Sequence, residues 1–332
     1  MRPVIVAELG ANHAGKIERA VKIVHAAAEA GADAVKFQTW SPELMVLDRD
    51  YTLTDGAWKG RKLVDLYAEA HTPWEWHAQL FETAKSAGIE AFTSVFDIPA
   101  LDFLERLGCP RYKIASFELV DLPLIRAAAS TKKPLILSTG MATYAEIHDA
   151  VDTARAAGCT DLTLLKCTSA YPADASTANL LTMADMRERF PGAKVGLSDH
   201  TKGIGVALCA AGMGARVIEK HFTLKRSDGG LDAAFSIEPD ELAMLCASAP
   251  ACANAHGKAG YGPTTDEIPQ LALRRSLYFA KDLPAGAVID PEAIASARPA
   301  AGLSPANRSK LMGKILATDV RRGQPVTWGV LR

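Results

Sequence analysis

The chain has 332 residues, of which 48% are hydrophobic and 23% charged, the balance of an ordinary globular protein. Lys plus Arg total 37 against 38 Asp plus Glu, a net charge of −1, so no basic excess points to nucleic acid or an anionic membrane. Length and composition exclude a disordered, collagenous or coiled-coil chain, and no apolar run reaches the ~20 residues that span a bilayer.

The N-terminal apolar run meets Glu8 at once and is too short for a signal-peptide core, so a cytoplasmic protein is expected. The six cysteines form no CxxC pair and no metal-ligand spacing, and are read as free thiols.

From there, short β-rich runs alternate with amphipathic stretches. The first run, 4–10, ends at Glu8 and leads to Asn12 and His13, with a helix over 17–30. The second, 34–40, carries Lys36 and Gln38, and its helix is placed at 74–87. The third, 90–96, carries Thr93 and Ser94, with a helix over 98–107. The fourth, 111–116, carries Lys113 and Ser116, then Glu118 and a helix over 121–131. The fifth, 134–139, ends in Ser138 and Thr139 before Gly140, with a helix over 143–157. The sixth, 161–168, carries Lys166, Cys167 and Thr168, then Ser169 and Tyr171, with a helix over 176–190. The seventh, 194–201, contains Ser198, Asp199 and His200, with a helix over 203–213. The eighth, 215–223, contains Glu219, Lys220 and His221, with a helix over 239–255.

Punctuation supports this segmentation. Thr72 with Glu75, and Thr143 with Glu146, read as capping boxes. Pro73 suits a first helical position, where its missing N–H would be unpaired anyway. Gly31, Gly88, Gly108, Gly158 and Gly214 stand where helices should stop, because glycine accepts the left-handed closing conformation.

Strands separated by helices pair in parallel. Eight units in about 250 residues predict an α/β fold, a (β/α)8 TIM barrel, over residues 1–256. A doubly wound sheet would want a glycine-rich phosphate loop after an early strand, and the sequence has none. Residues 257–275 read as a linker. The tail, 276–332, has short strand-like runs and a weak repeat, in which Ala280, Asp282 and Gly286 return as Ala317, Asp319 and Gly323, an offset of 37 each time.

Active sites of such barrels lie at the C-terminal strand ends. Polar residues facing a barrel interior are costly unless paired or met by a ligand, and here nearly every strand ends in them. Lys36 and Lys113 with several hydroxyls suit a phosphate or carboxylate. The plainer alternative pairs these lysines with Glu8, Glu118 or Glu219 in a structural network. His200 and His221 end neighbouring strands and can share one divalent ion, with His13 as a possible third participant. His25, His71, His77, His148 and His256 are assigned to surface or packing. Trp58, Trp74 and Trp76 are expected to cover a loop or the rim. Cys167 has no neighbouring His in sequence and is not taken as a nucleophile.

These strand ends resemble the sialic acid synthase family, which condenses phosphoenolpyruvate with an amino sugar. The runs that carry the resemblance are Ala7 to His13, Val35 to Thr39, Tyr112 to Ser116, Leu137 to Met141, Gly196 to Thr201 and Ile218 to Thr223. It covers essentially the whole chain. The tail resembles the family's antifreeze-like (SAF, β-clip) domain through Arg298-Pro299, Gly302 and Ser304-Pro305. Lys166 to Pro172 and Gly229 to Ser236 are most similar to the pseudaminic acid synthase branch; Lys166 and the run from Gly230 to Ala233 depart from N-acetylneuraminate synthases.

The resemblance implies roles. His200 and His221 would hold Mn2+ or Mg2+. Lys36, Ser94, Lys113, Ser116 and Ser198 would hold phosphoenolpyruvate, with Gln38 and, less directly, Ser169 beside them. Glu8 would hold a sugar hydroxyl or move a proton, Glu118 would activate the water, and Asp232 and Tyr171 would face the sugar. Arg298 would reach the sugar site of the other subunit in a domain-swapped homodimer. The favoured sugar is a 6-deoxy diacetamido altrose. Competing readings are an N-acetylneuraminate or legionaminate synthase, a non-catalytic sugar- or ice-binding protein, and an aldolase forming a Schiff base on Lys36, Lys113 or Lys166.

Overall fold

A computed structural model describes residues 2–56 and 58–332. The chain divides into two compact units, Met1–Gly257 and Lys258–Arg332, each with its own hydrophobic core.

The first unit is a closed parallel barrel of β1 (Val4–Glu8), β2 (Ala34–Thr39), β3 (Glu90–Val95), β4 (Tyr112–Ile114), β5 (Leu135–Ser138), β6 (Leu162–Cys167), β7 (Lys194–Asp199) and β8 (Val217–His221). β8 closes on β1 from Val4 beside Val217 to Glu8 beside His221. All eight expected strands are present, each trimmed by one to a few residues at its ends. They read clearly because both faces are covered, so each is a near-continuous apolar run.

The helices follow from sequence spacing. Ile17–Glu29 buries Ala20, Ile23, Val24 and Ala27, an i, i+3, i+4, i+7 spacing that lines one helical face. Each fully buried aliphatic side chain there contributes roughly 1.5–3 kcal/mol. Thr143 and Glu146 form the expected capping box. Asp97 accepts from Ala100 N–H at the start of Ile98–Leu107 and also from Ser41, so one carboxylate ties a helix to the loop after β2. The five expected stop glycines all have positive φ.

Two local expectations fail. The crossover after β2 contains helices Pro42–Met45 and Leu63–Ala70 in addition to the expected one. Thr72 is no cap: its hydroxyl faces His13 Nε2 at 3.3 Å, and the following turn begins from Pro73 without a side-chain cap.

In the second unit, β9 (Ser276–Phe279) and β10 (Ile294–Ala297) pair antiparallel around Leu277, Phe279, Leu316 and Val326. The repeat is a local two-fold. Leu283 and Val320 exchange both backbone hydrogen bonds, Gly286 N–H donates to Leu316 O, and Gly323 N–H donates to Phe279 O. The two repeated aspartates reciprocate: Asp319 accepts from Ala285 N–H and Asp282 from Arg322 N–H. Among the described residues no helix is long and apolar enough to cross a membrane, and all six cysteines are free.

Candidate active site

Side chains alternate along a strand, and the barrel register turns one set from each strand inward. Gln38 lies beside Ser94, Ser94 beside Lys113, and Ser198 beside Glu219. The result is a buried polar layer at the C-terminal end.

Its centre is an ion network. Lys36 pairs closely with Glu8, lies 3.9 Å from Glu219, and donates to Ser94 Oγ at 2.8 Å. Lys113 lies 3.9 Å from Glu219. Gln38 donates to Glu8 Oε1 at 2.9 Å, and Ser198 donates to Glu219 Oε1 at 3.0 Å. The lysines therefore do have carboxylate partners, Glu8 and Glu219, but not Glu118. The network does not exhaust its members, since Glu219 Oε2 and Ser138 Oγ are buried without hydrogen-bond partners. Buried polar atoms left open in this way are unusual and want a ligand or water.

The charges are unequally held. Burial works against the Lys36 ammonium, yet Glu219 and Glu8 raise its pKa above the ordinary value. Burial lowers Lys113, which has a more distant carboxylate and Lys36 as a like-charged neighbour. Burial pushes Glu219 up, but Lys113 and Lys36 hold it below the usual carboxylate range. Glu118, which follows β4, is raised to about 7 by burial, and its Oε2 is buried without a partner.

At the other side of the mouth His200 and His221 face each other, ring centroids 5.4 Å apart. His200 Nδ1 is 2.9 Å from Thr168 O, which fixes the Nδ1–H tautomer and leaves Nε2 as the free lone pair. His221 Nδ1 lies 3.4 Å from Asp232 Oδ2. His200 thus keeps Nε2 available beside an outer partner, the usual arrangement of a histidine ligand, while His221 Nδ1 faces Asp232 without a hydrogen bond. Among the described residues no set of three or more His, Cys, Asp or Glu is arranged to hold a metal, so the donor set is two neutral nitrogens with the remaining positions open. That fits an ion completed by substrate and water oxygens.

Asp232 is fixed from the opposite loop. Its Oδ2 accepts from Ala11 N–H at 2.9 Å. Gly10, at φ +51°, makes the approach possible, because a Cβ there would stand 2.2 Å from Asp232 Oδ2 and 3.1 Å from His221 Nδ1. Asn12 donates to Phe222 O and to Ser236 Oγ, and Ser236 donates to Asp232 O, closing the clasp. Gly140 plays the same part across the mouth. Its N–H donates to Ser116 Oγ, and a Cβ there would lie 2.2 Å from Ser169 Oγ and 2.8 Å from Ser116 Oγ.

Tyr171 packs on His200 with ring centroids 4.3 Å apart. Trp58 lies over Tyr171 and donates Nε1–H to Leu231 O, so it covers the rim, while Trp74 stacks on Phe103 behind the barrel.

Three readings need correction. His13 is no ligand: Nδ1 accepts from Gly15 N–H, and Nε2 faces Ala70 O and Thr72 Oγ1. Cys167 does have a histidine neighbour, His200, with Sγ 3.8 Å from Nδ1. Burial opposes the thiolate, but His200, the Ser116 hydroxyl and Lys113 together bring Cys167 down to about 7; because that Nδ1 points at Thr168 O, the pair is not arranged as nucleophile and base. Lys166 occupies the strand position between two inward neighbours and donates to Cys167 O, away from the polar layer. Arg298 is exposed in the second unit, just after β10. Glu219 was named only as a structural counterion, and its alternation with His221 was the signal that it faces inward.

A family model described as the NeuB family matches residues 23–261, and one described as the SAF domain matches residues 274–332. Pseudaminic acid synthase of Campylobacter jejuni is 40% identical over 96% of this chain and 94% of its own length. N,N'-diacetyllegionaminic acid synthase of Legionella pneumophila is 38% identical over 98% and 93%. Among solved structures, N-acetylneuraminic acid synthetase of Leptospira borgpetersenii in complex with citrate superposes with a TM-score of 0.74 at 31% identity, covering 82% of this chain and 90% of that one.

Proposed function

Since this chain belongs to the NeuB family, we propose that it is a phosphoenolpyruvate-dependent synthase that condenses phosphoenolpyruvate with 2,4-diacetamido-2,4,6-trideoxy-L-altrose to give pseudaminic acid and phosphate. The observation that carries the reaction class is the convergence of Lys36, Lys113, Ser94, Ser116 and Ser198 beside the His200–His221 pair. The 40% identity to a pseudaminic acid synthase over nearly the full length supports the choice of sugar.

In this reading Lys36 and Lys113, with the serines and Gln38, hold the phosphate and carboxylate of phosphoenolpyruvate. Ser169 completes the edge beside Gly140. A divalent ion, Mn2+ or Mg2+, held by His200 and His221 would act as a Lewis acid on the aldehyde oxygen of the open-chain sugar. Carbon 3 of phosphoenolpyruvate attacks the aldehyde carbon, and the new C–C bond leaves electron deficiency at carbon 2. Water adds there, with Glu118 taking its proton, and the tetrahedral intermediate expels phosphate. A carboxyl poised at about 7 suits that transfer. Glu8 holds a sugar hydroxyl, and Asp232 and Tyr171 face the sugar.

Arg298 serves the sugar site of a second copy in a domain-swapped homodimer. Exposed Phe117, Val120, Met141 and Leu181, on loops after β4, β5 and β6, support a covered mouth. Since phosphoenolpyruvate is a cytoplasmic metabolite, the reaction belongs in the cytoplasm.

The test is product mass spectrometry and phosphate release with phosphoenolpyruvate, Mn2+ and each candidate sugar. A nonulosonate mass with the altrose sugar is expected. Product only with N-acetylmannosamine or the legionaminate precursor overturns the sugar and keeps the chemistry. No product from folded, metal-loaded protein overturns both.

A further inference from the structure

Behind the two histidines lies an ion pair with no place in the reaction above. Lys220 Nζ donates to Asp199 Oδ2 at 2.9 Å, and each side chain is 1% exposed. The two residues are register partners on β7 and β8. Ser198, beside Glu219 in the same register, and the His200–His221 pair occupy the inward face, so Asp199 and Lys220 point outward into the dry layer under the helices.

The pair also grips the chain on both sides of His200. Asp199 Oδ1 accepts from Thr201 N–H at 2.9 Å, and Lys220 donates a second time, to Thr201 O at 2.7 Å. His200 is therefore bracketed by Asp199 before it and Thr201 after it, and Lys220 immediately precedes His221. The His200 ring and carbonyl have anchors of their own at Thr168 O and Ala173 N–H. What those anchors leave undetermined is the spacing between the turn after β7 and the end of β8.

Stability does not account for a dry charge pair at this place. Desolvating both ions costs about what their attraction returns, and apolar residues of similar volume often hold strands as well or better. A geometric role does account for it, since charge and direction fix a distance that apolar packing leaves looser. We propose that Asp199 and Lys220 are positioning residues that set the His200–His221 separation for a divalent ion. The inference rests on the metal role given to the two histidines above.

The experiment is direct Mn2+ binding to the full-length protein, read by the electron paramagnetic resonance signal of free Mn2+, beside thermal unfolding. The main variant is Asp199→Leu with Lys220→Met, which removes both charges at once and strands neither. Mn2+ affinity is expected to fall by about 10–100-fold, the range seen when outer partners of metal ligands are removed, while Tm drops only by what the two lost Thr201 backbone bonds account for. Asp199→Asn, which keeps the shape and the acceptor for Thr201 N–H, is the second variant should the first not fold, and is expected to weaken Mn2+ in the same direction. Leu104→Ala, in the core of helix Ile98–Leu107, should lower Tm and leave Mn2+ affinity alone. Folded variants that bind Mn2+ as wild type does overturn the positioning role. Wild-type protein that binds no Mn2+ overturns the metal reading and this inference with it.

Discussion

Gly10→Ala tests how the Asp232 carboxylate is held. The new methyl meets two penalties. Gly10 sits at φ +51°, and the left-handed region costs an ordinary residue about 1–2 kcal/mol. The Cβ would also stand 2.2 Å from Asp232 Oδ2, so the carboxylate must leave Ala11 N–H, its 2.9 Å donor. A hydrogen bond to a charged group contributes about 1.5–3 kcal/mol. Together the substitution should destabilise by about 2.5–5 kcal/mol in urea unfolding. A double-mutant cycle separates the parts. In an Asp232→Ala background the carboxylate is gone, so Gly10→Ala should cost only the backbone share, about 1–2 kcal/mol. The difference between the two backgrounds measures the contact. An equal cost in both would show that Gly10 does not hold Asp232 in place, and the account of the clasp would fail.

Further outcomes follow from the same geometry. Glu118, raised to about 7 by burial, must be ionised to take a proton, so kcat should rise as pH passes through about 7; Glu118→Gln should remove that limb and lower kcat by about 10²–10⁴. The same shift means that the folded chain holds a proton the unfolded chain releases above its ordinary 4.5, so the stability of wild type relative to the variant should fall between pH 4.5 and about 7, a comparison in which the opposite contribution of His77, lowered to about 4 by burial, cancels. Lys36→Met strands Glu8 and should cost about 3–5 kcal/mol in urea unfolding. Lys113→Met should cost less, because its nearest carboxylate is 3.9 Å away, and both should raise the KM for phosphoenolpyruvate. Gly140→Ala pushes on Ser116 and Ser169 and should raise that KM on the order of tenfold with Tm little changed. Arg298→Ala should lower kcat, and mixing it with Glu118→Gln subunits should restore activity if the arginine serves the other subunit; no recovery argues for action within one chain.

The barrel was legible because the strands are short and apolar and five of the helices that follow them stop at a glycine, all local signals. Strand alternation then carried the reading from residue to place: Glu8, Lys36, Ser94, Lys113, Ser198 and His221 converge as expected. What local pattern could not supply was competition from distant partners. Thr72 matched a capping box, yet His13, 59 positions away, takes its hydroxyl. Cys167 had no histidine in its run, and the barrel brings His200 from 33 positions on. Gly10 and Gly140 drew no role from the sequence, whereas what they supply is room for a carboxylate and two hydroxyls from other segments of the chain.

The least legible property was the charge balance of the mouth, because it belongs to no strand alone. Two lysines meet Glu8 and Glu219 in one buried layer, and Asp232 adds a third carboxylate beside His221. Counted as ions, these five side chains sum to −1 before any substrate arrives. Bringing a phosphate and a carboxylate into such a site demands further positive charge close by, since unpaired buried ions are strongly disfavoured. The proposed divalent ion at His200 and His221 would supply it within the same mouth, and its part would then be charge balance as much as Lewis acidity. Phosphoenolpyruvate affinity should accordingly weaken when the metal is stripped, before any chemistry is measured. Equal affinity of the metal-free and metal-loaded protein for phosphoenolpyruvate, by calorimetry, would refute that step.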